Sequence, residues 1–201
     1  TEVAKAAPDG YTLLIATSST HAIGPHLNPK LPYKTTGPNS DFTPIAHVAD
    51  ATNVLLVPMD LPVANVKELI AYVKANKDKV NLANAGVGSA SHLAGLLFMT
   101  EIETVLTTIP YKGTGPAMND LLGGQVDFMI DQTTNTTSHI KAGKIQVYAV
   151  TTPQRLPSLP EVPTMNEAGL PNFKMTVWHA LYAPKGTPKP IIDRLSKALQ
   201  E

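Results

Sequence analysis

The 201-residue chain has no cysteine, which excludes disulfides, thiolate metal sites and cysteine nucleophiles together. It has no charge of one sign to spare, because sixteen Lys and Arg balance sixteen Asp and Glu. Nor is there a basic tail or patch of the kind that nucleic acid or an anionic membrane would need, so neither is expected as a partner. No apolar run approaches the ~20 residues that span a bilayer. The six histidines, at 21, 26, 47, 92, 139 and 179, show neither H-E-x-x-H nor i,i+4 pairing, and no metal site or cofactor is expected. An anionic ligand would have to be drawn by local groups and not by the overall field.

What the chain does have is apolar content of 43%, enough for a real core, and a regular rhythm. "YTLLIA" follows the turn signal "PDG" and suits a buried strand. "FTPIAHVADATNVLLVP" supplies two more strand-like stretches. Asn65 then opens "NVKELIAYVKANK" with Glu68 three residues on, a capping-box pattern, and Val66, Leu69, Ile70 and Val73 share one helical face. From there strands ("VNLANA", "VLTTIPY", "VDFMID", "IQVYAVT") alternate with helices ("SASHLAGLLFMTEI", "GPAMNDLLGG", "TTNTTSHIKAG"). This βα repetition predicts a largely parallel α/β sheet with helices on both faces. The five-proline stretch "TPQRLPSLPEVPTMNEAGLP" predicts an ordered surface excursion. "KMTVWHALYAP" predicts a returning strand pair, and "TPKPIIDRLSKALQ" a helix with prolines in its first turn. The opening "TEVAKAAPDGYTLLIA" lacks an initiator Met and reads as an internal piece of something longer.

The segment "NAGVGSASHLAG", Asn84 to Gly95, concentrates the chemistry. It leaves a strand at the sheet edge where helix N-termini present free N–H groups. Gly86 and Gly88 permit a tight turn, while Ser89 and Ser91 add hydroxyls. It is no P-loop, having no Lys-Ser/Thr, and the third glycine of a dinucleotide fingerprint is replaced by Ser91. No serine lies in a G-x-S-x-G frame. Helix capping and anion binding both remain open. His92 in the following turn could donate to a carboxylate or simply pack. Asp131 ends a strand at the same edge and either faces a ligand or caps the next helix. Ser18, Ser19 and Thr20 follow another strand end, as do Tyr111, Lys112 and Gly113. Several polar loops with no nucleophile–base pair among them favour binding over catalysis.

These stretches, with "AAPDGYTLLIATSSTHAIGPHLNPKLPY", "LPEVPTMNEAGLP" and "LYAPKGTPKPIIDRL", follow one another as in one family. The chain resembles the periplasmic substrate-binding proteins of tripartite tricarboxylate transporters, the TctC-like or Bug proteins, along essentially all 201 residues. The resemblance implies a two-domain periplasmic-binding-protein-like Venus flytrap (type II), each lobe a βα sheet, with two crossover strands as hinge. Domain I would comprise 1–51 and 177–201, domain II 52–176, and the hinge strands would lie near 45–57 and 174–183. It implies a non-enzymatic, periplasmic, monomeric receptor that binds a small carboxylate in the interdomain cleft and delivers it to the membrane permease subunits.

Carried over residue by residue, the ligand-binding set is Ser18, Ser19 and Thr20 in "ATSSTHA", Gly88, Ser89, Ala90, Ser91 and His92 in "GVGSASH", and Asp131 and Gln132 in "MIDQ". Trp178 matches an aromatic with a hinge or pocket-packing role. The family's opening strand and loop, and its segment after Glu201, have no counterpart here. Two alternatives stand beside this reading: a serine-dependent α/β hydrolase or transferase using Ser89 or Ser91, and a sensory module for a two-component system. Replacing both serines by Ala is expected to weaken carboxylate binding while leaving the melting temperature nearly unchanged.

Overall fold

Most of the apolar runs become strands because they carry buried residues on one or both faces and are bounded by turn residues. The computed structural model describes residues 1–201, which divide into two units: Thr1–Asp50 with Val177–Glu201, and Ala51–Thr176. The chain therefore crosses between units at Asp50–Ala51 and again at Thr176–Val177.

The first unit is built on a three-stranded sheet in which β8 (Val177–Pro184) lies between β1 (Leu14–Thr17) and β2 (Phe42–Ala51). β1 and β8 are antiparallel, with Ala16 opposite Ala180 and Thr17 opposite His179. "KMTVWHALYAP" forms this single strand and not the expected pair, with Lys174–Thr176 lying outside it. Beyond β1 the chain winds into a π-helical turn, Ser18–Ile23, then the short helix α1 (Gly24–Leu27). The His21 ring is buried against Phe42 at 4.9 Å and Tyr182 at 4.7 Å. The C-terminal helix α6 (Lys189–Ala198) has Pro188 at its N-cap and Pro190 in its first turn, where a missing N–H costs nothing.

The second unit holds a five-stranded sheet in the order β5 (Thr107–Pro110), β4 (Asn81–Asn84), β6 (Phe128–Gln132), β3 (Asn53–Pro58), β7 (Ile145–Val150). β4 runs parallel to both neighbours, but β3 is antiparallel to β6 and to β7. Four of the five strands thus run the same way, as the sequence reading expects, and β3 alone runs against them, which makes the sheet mixed. All six residues of β3 are buried, so its composition is that of a central strand whichever way it runs.

Helices cover both sheet faces. On one, α2 (Val66–Ala75) and α3 (Ala90–Glu101) pack Leu69, Val73, Ala94 and Phe98 on Leu55, Leu82 and Phe128. On the other, α4 (Thr114–Leu122) sets Ala117, Met118 and Leu121 against Val54, Leu56, Ala83 and Met129, with Ile140 of α5 (Thr133–Lys141) alongside. The Asn65 cap forms as expected, with its side chain accepting from Glu68 N–H at 2.9 Å. The Glu68 carboxylate, however, reaches back to Ala64 N–H and not to Asn65 N–H. The proline-rich segment is ordered, but it is more than a surface excursion: its Met165 and Leu170, with Phe173 just after it, insert into the core. Arg155 pairs with Glu167 at 3.0 Å, and the Glu167 carboxylate also accepts from Thr164 N–H.

Phe98 is fully buried and meets Phe128 edge-on at 5.5 Å. Phe98→Ala should lower unfolding free energy by about 3–5 kcal/mol, read as a fall in urea midpoint with unchanged slope.

Candidate functional site

In the second unit three helices start beyond the carboxyl ends of the parallel strands β4, β5 and β6: α3, α4 and α5. Each start leaves backbone N–H groups without helical partners and concentrates partial positive charge. The loop from β4 to α3 makes its turn through Gly86 (φ 121°) and Gly88 (φ 81°). A Cβ on Gly86 would lie 3.0 Å from the Tyr111 carbonyl, so this position needs glycine for both dihedral and space.

Ser89 is the N-cap of α3, its Oγ accepting from His92 N–H at 3.2 Å. Ser91 is buried and its Oγ accepts from Ala85 N–H at 2.7 Å. The two hydroxyls lie 3.2 Å apart, so one donates to the other. A hydrogen count then leaves one hydroxyl hydrogen of the pair for an outside acceptor. Gly88 N–H donates to His92 Nδ1 at 3.3 Å, which fixes the tautomer and leaves the proton on Nε2 as a donor. Both serine oxygens thus take backbone N–H groups, and the His92 ring is committed to Gly88; this is the geometry of a cap and a donor set, not of a serine activated by an imidazole.

Asp131 is 3% exposed. Its Oδ1 accepts from Gln132 N–H at 2.8 Å, while Oδ2 has no partner. Burial raises its pKa above the ordinary carboxylate value, against smaller lowering effects from Thr114, Gln132 N–H and Asn135. Asp131 does not cap α5: the N-cap is Gln132, which offers no side-chain bond. The N-cap of α4, Gly113, has no side chain to offer. Tyr111 donates to Asp120 Oδ2 at 2.7 Å; burial first, then the Asp120 hydrogen bond and charge, push its pKa up to about 12.

Two residues escaped the sequence reading. Asn53 is fully buried with both side-chain polar atoms unpartnered, and Asn84 keeps Nδ2 unpartnered while Oδ1 accepts from Gly86 N–H at 3.0 Å. Both belong to the sheet edge that carries Asp131, since Asn53 is in register with Gln132. Their only signal was a polar residue at the end of an apolar run.

The structure therefore brings Gly88, Ser89, Ala90, Ser91, His92, Asp131 and Gln132 to one edge of the second unit. Ser18, Ser19 and Thr20 lie in the first unit, in the π-helical turn. There the turn itself takes up Thr20: its Oγ1 accepts from Thr17 N–H at 3.0 Å and lies 3.3 Å from His21 Nδ1. Ser18 is buried and Ser19 half-buried. Trp178 sits on β8 beside Ile45, His47 and Tyr182.

The profile of the tripartite tricarboxylate transporter family receptors, TctC, matches residues 1–201. The chain belongs to this receptor family. It is 44% identical over 198 residues to a protein of the TAR-I ttuE-ttuC' intergenic region of Agrobacterium vitis, a match covering 98% of this chain and 56% of the relative. It superposes on the periplasmic binding protein BugD with TM-score 0.87 at 50% identity, covering 98% of this chain and 65% of that one. On MatC from Rhodopseudomonas palustris, solved with bound malate, the TM-score is 0.89 at 40% identity, covering 98% and 66%. The chain thus spans a little over half the length of this curated relative and about two thirds of each solved neighbour, and its α/β fold is that of TctC- and Bug-type periplasmic solute-binding proteins. No helix of this receptor chain is long and apolar enough to cross a membrane.

The serine contacts correct the expectation that their loss would leave stability unchanged. Ser91→Ala strands the Ala85 N–H, at about 1–3 kcal/mol, and Ser89→Ala removes a cap worth about 1 kcal/mol. The double variant should melt measurably lower than the parent without any ligand, by differential scanning calorimetry.

Proposed function

We propose that this chain is the ligand-binding body of an extracytoplasmic receptor for a small carboxylate, working with a tripartite tricarboxylate-type permease. The observation that carries the reading is the donor set at the β4–α3 turn. The first-turn N–H groups of α3, the spare hydroxyl hydrogen of Ser89 or Ser91, His92 Nε2–H and Asn84 Nδ2 are hydrogen-bond donors within one short stretch. A carboxylate there is held by charge-assisted bonds worth about 1.5–3 kcal/mol each, and the helix dipole favours the same sign of charge. No cationic side chain is required, in keeping with the neutral composition of the loop. The malate held by MatC, a relative 40% identical, is the kind of small diacid such donors suit. Family membership supports a periplasmic location, capture without turnover, and permease subunits as partners. In the first unit, Ser18 and Ser19 are the residues proposed to add contacts.

A thermal-shift panel of malate, succinate, aspartate and aromatic acids, with phosphate and uncharged amides as controls, tests this. One or a few acids should raise the melting temperature selectively, since a ligand confined to the native state stabilises by RT ln(1 + [L]/Kd). Stabilisation by phosphate alone, or by none of the acids, would contradict the reading.

A further inference from the structure

Asp131 is an odd group to find beside an anion site. A second negative charge at the same sheet edge would repel a carboxylate ligand. The enclosure of its Oδ2 also keeps it from serving as a surface contact. Its surroundings explain how it acts instead. Thr114, the first residue of α4, and Asn135 of α5 flank it closely enough to weigh on its charge. The Asn135 amide donates to Thr114 Oγ1 at 3.4 Å.

Thr114 in turn follows Gly113, whose N–H donates to the Ala85 carbonyl at 3.1 Å. The N–H of that same residue, Ala85, donates to Ser91 Oγ. Beside Asp131, a run of bonded groups therefore leads from Asn135 and Thr114 at the start of α4, through Gly113 and Ala85, to the Ser91 hydroxyl at the start of α3. No titratable group is among the influences on Asp131. β3 and β4 carry no ionisable side chain. On α3, α4, α5 and the connections that lead into them the ionisable groups are His92, Glu101, Lys112, Asp120 with its partner Tyr111, His139 and Lys141.

Resting on the carboxylate reading above, we propose that Asp131 is a positioning residue that couples ligand affinity to a proton. Neutral, it leaves the α4 N-terminus and the Ala85–Ser91 contact to the ligand; ionised, it occupies that N-terminus with its own negative charge. Burial without a counter-ion favours the neutral form. Binding an anion nearby favours it further, so binding takes up a proton, and affinity falls as pH rises through the Asp131 pKa, by at most about tenfold per pH unit.

The test compares the parent with Asp131→Asn, an uncharged near-isostere, and with Asp127→Asn as a control just before the far end of β6, where Asp127 Oδ2 accepts from Asn81 N–H at 2.7 Å. Malate, succinate and aspartate are titrated calorimetrically from pH 4 to pH 8 in two buffers of different ionisation enthalpy, with affinities and proton counts referred to the fully ionised acid so that the ligands' own carboxyl titration is removed. The parent and Asp127→Asn should lose affinity with rising pH and show proton uptake, while Asp131→Asn should bind with a flat profile at the parent's low-pH affinity. A parent-like slope in Asp131→Asn overturns the proposal alone. Loss of binding by Asp131→Asn at every pH overturns it too, in favour of a direct contact. Failure of the parent to bind any of the three acids overturns the proposal together with the carboxylate reading.

A ligand-free readout separates these. Because the folded pKa is raised, the neutral group's stabilising contribution is present below the unfolded value and is lost as pH rises through the folded one. The melting temperature of the parent relative to Asp131→Asn should therefore fall over that window. Parallel melting curves would overturn the proposal whatever the ligand.

Discussion

The peptide of Ala85 is the constraint on which the candidate site depends. Its N–H is held by Ser91 Oγ at 2.7 Å and its carbonyl by Gly113 N–H at 3.1 Å. One residue thus ties the start of α3 to the start of α4, and the strand β4 that delivers it is pinned between two parallel neighbours. The adjacent bond from Tyr111 N–H to the Asn84 carbonyl, at 2.9 Å, extends the same ladder by one step. Two helix N-termini held through one shared residue make a preorganised donor set, so a ligand does not have to order it.

That arrangement also explains why the serines serve two ends. Ser89 caps a helix and Ser91 satisfies a buried N–H, yet the pair retains one hydrogen for an outside acceptor. The capping and anion-binding readings of the loop, which compete in the sequence, are therefore compatible in the structure. The donor set proposed for the carboxylate is one that the fold also uses for its own backbone.

Much of this was legible in the residues because apolar periodicity and turn chemistry are local. The Asn65 cap, the strands around "VNLANA" and "VDFMID", and the helix after Ser89 all appear where the pattern places them. Strand direction is not local: "NVLLVP" is apolar throughout, and nothing in it tells that β3 runs against its neighbours. The winding of "SSTHAI" into a π-helical turn depends on the Thr17–Thr20 bonds, which a run of small hydroxyls does not specify. In the proline-rich stretch, prolines announced an excursion but hid Met165 and Leu170, whose burial depends on long-range packing. Asn53 and Asn84 stood out only once burial showed their amides unfilled. Family resemblance supplied the carboxylate, whereas composition and spacing alone reached no further than an anion.

The most direct measurement is a titration of the ¹⁵N-labelled protein with malate, followed by amide chemical shifts. The account predicts that the largest changes within the second unit fall on the amides of Val87–His92 and on the first turns of α4 and α5, with the β4–α3 turn leading. Shifts concentrated at the opposite sheet edge, around Asn81 and Asp127, with the Ser89–Ser91 amides unmoved, would contradict it.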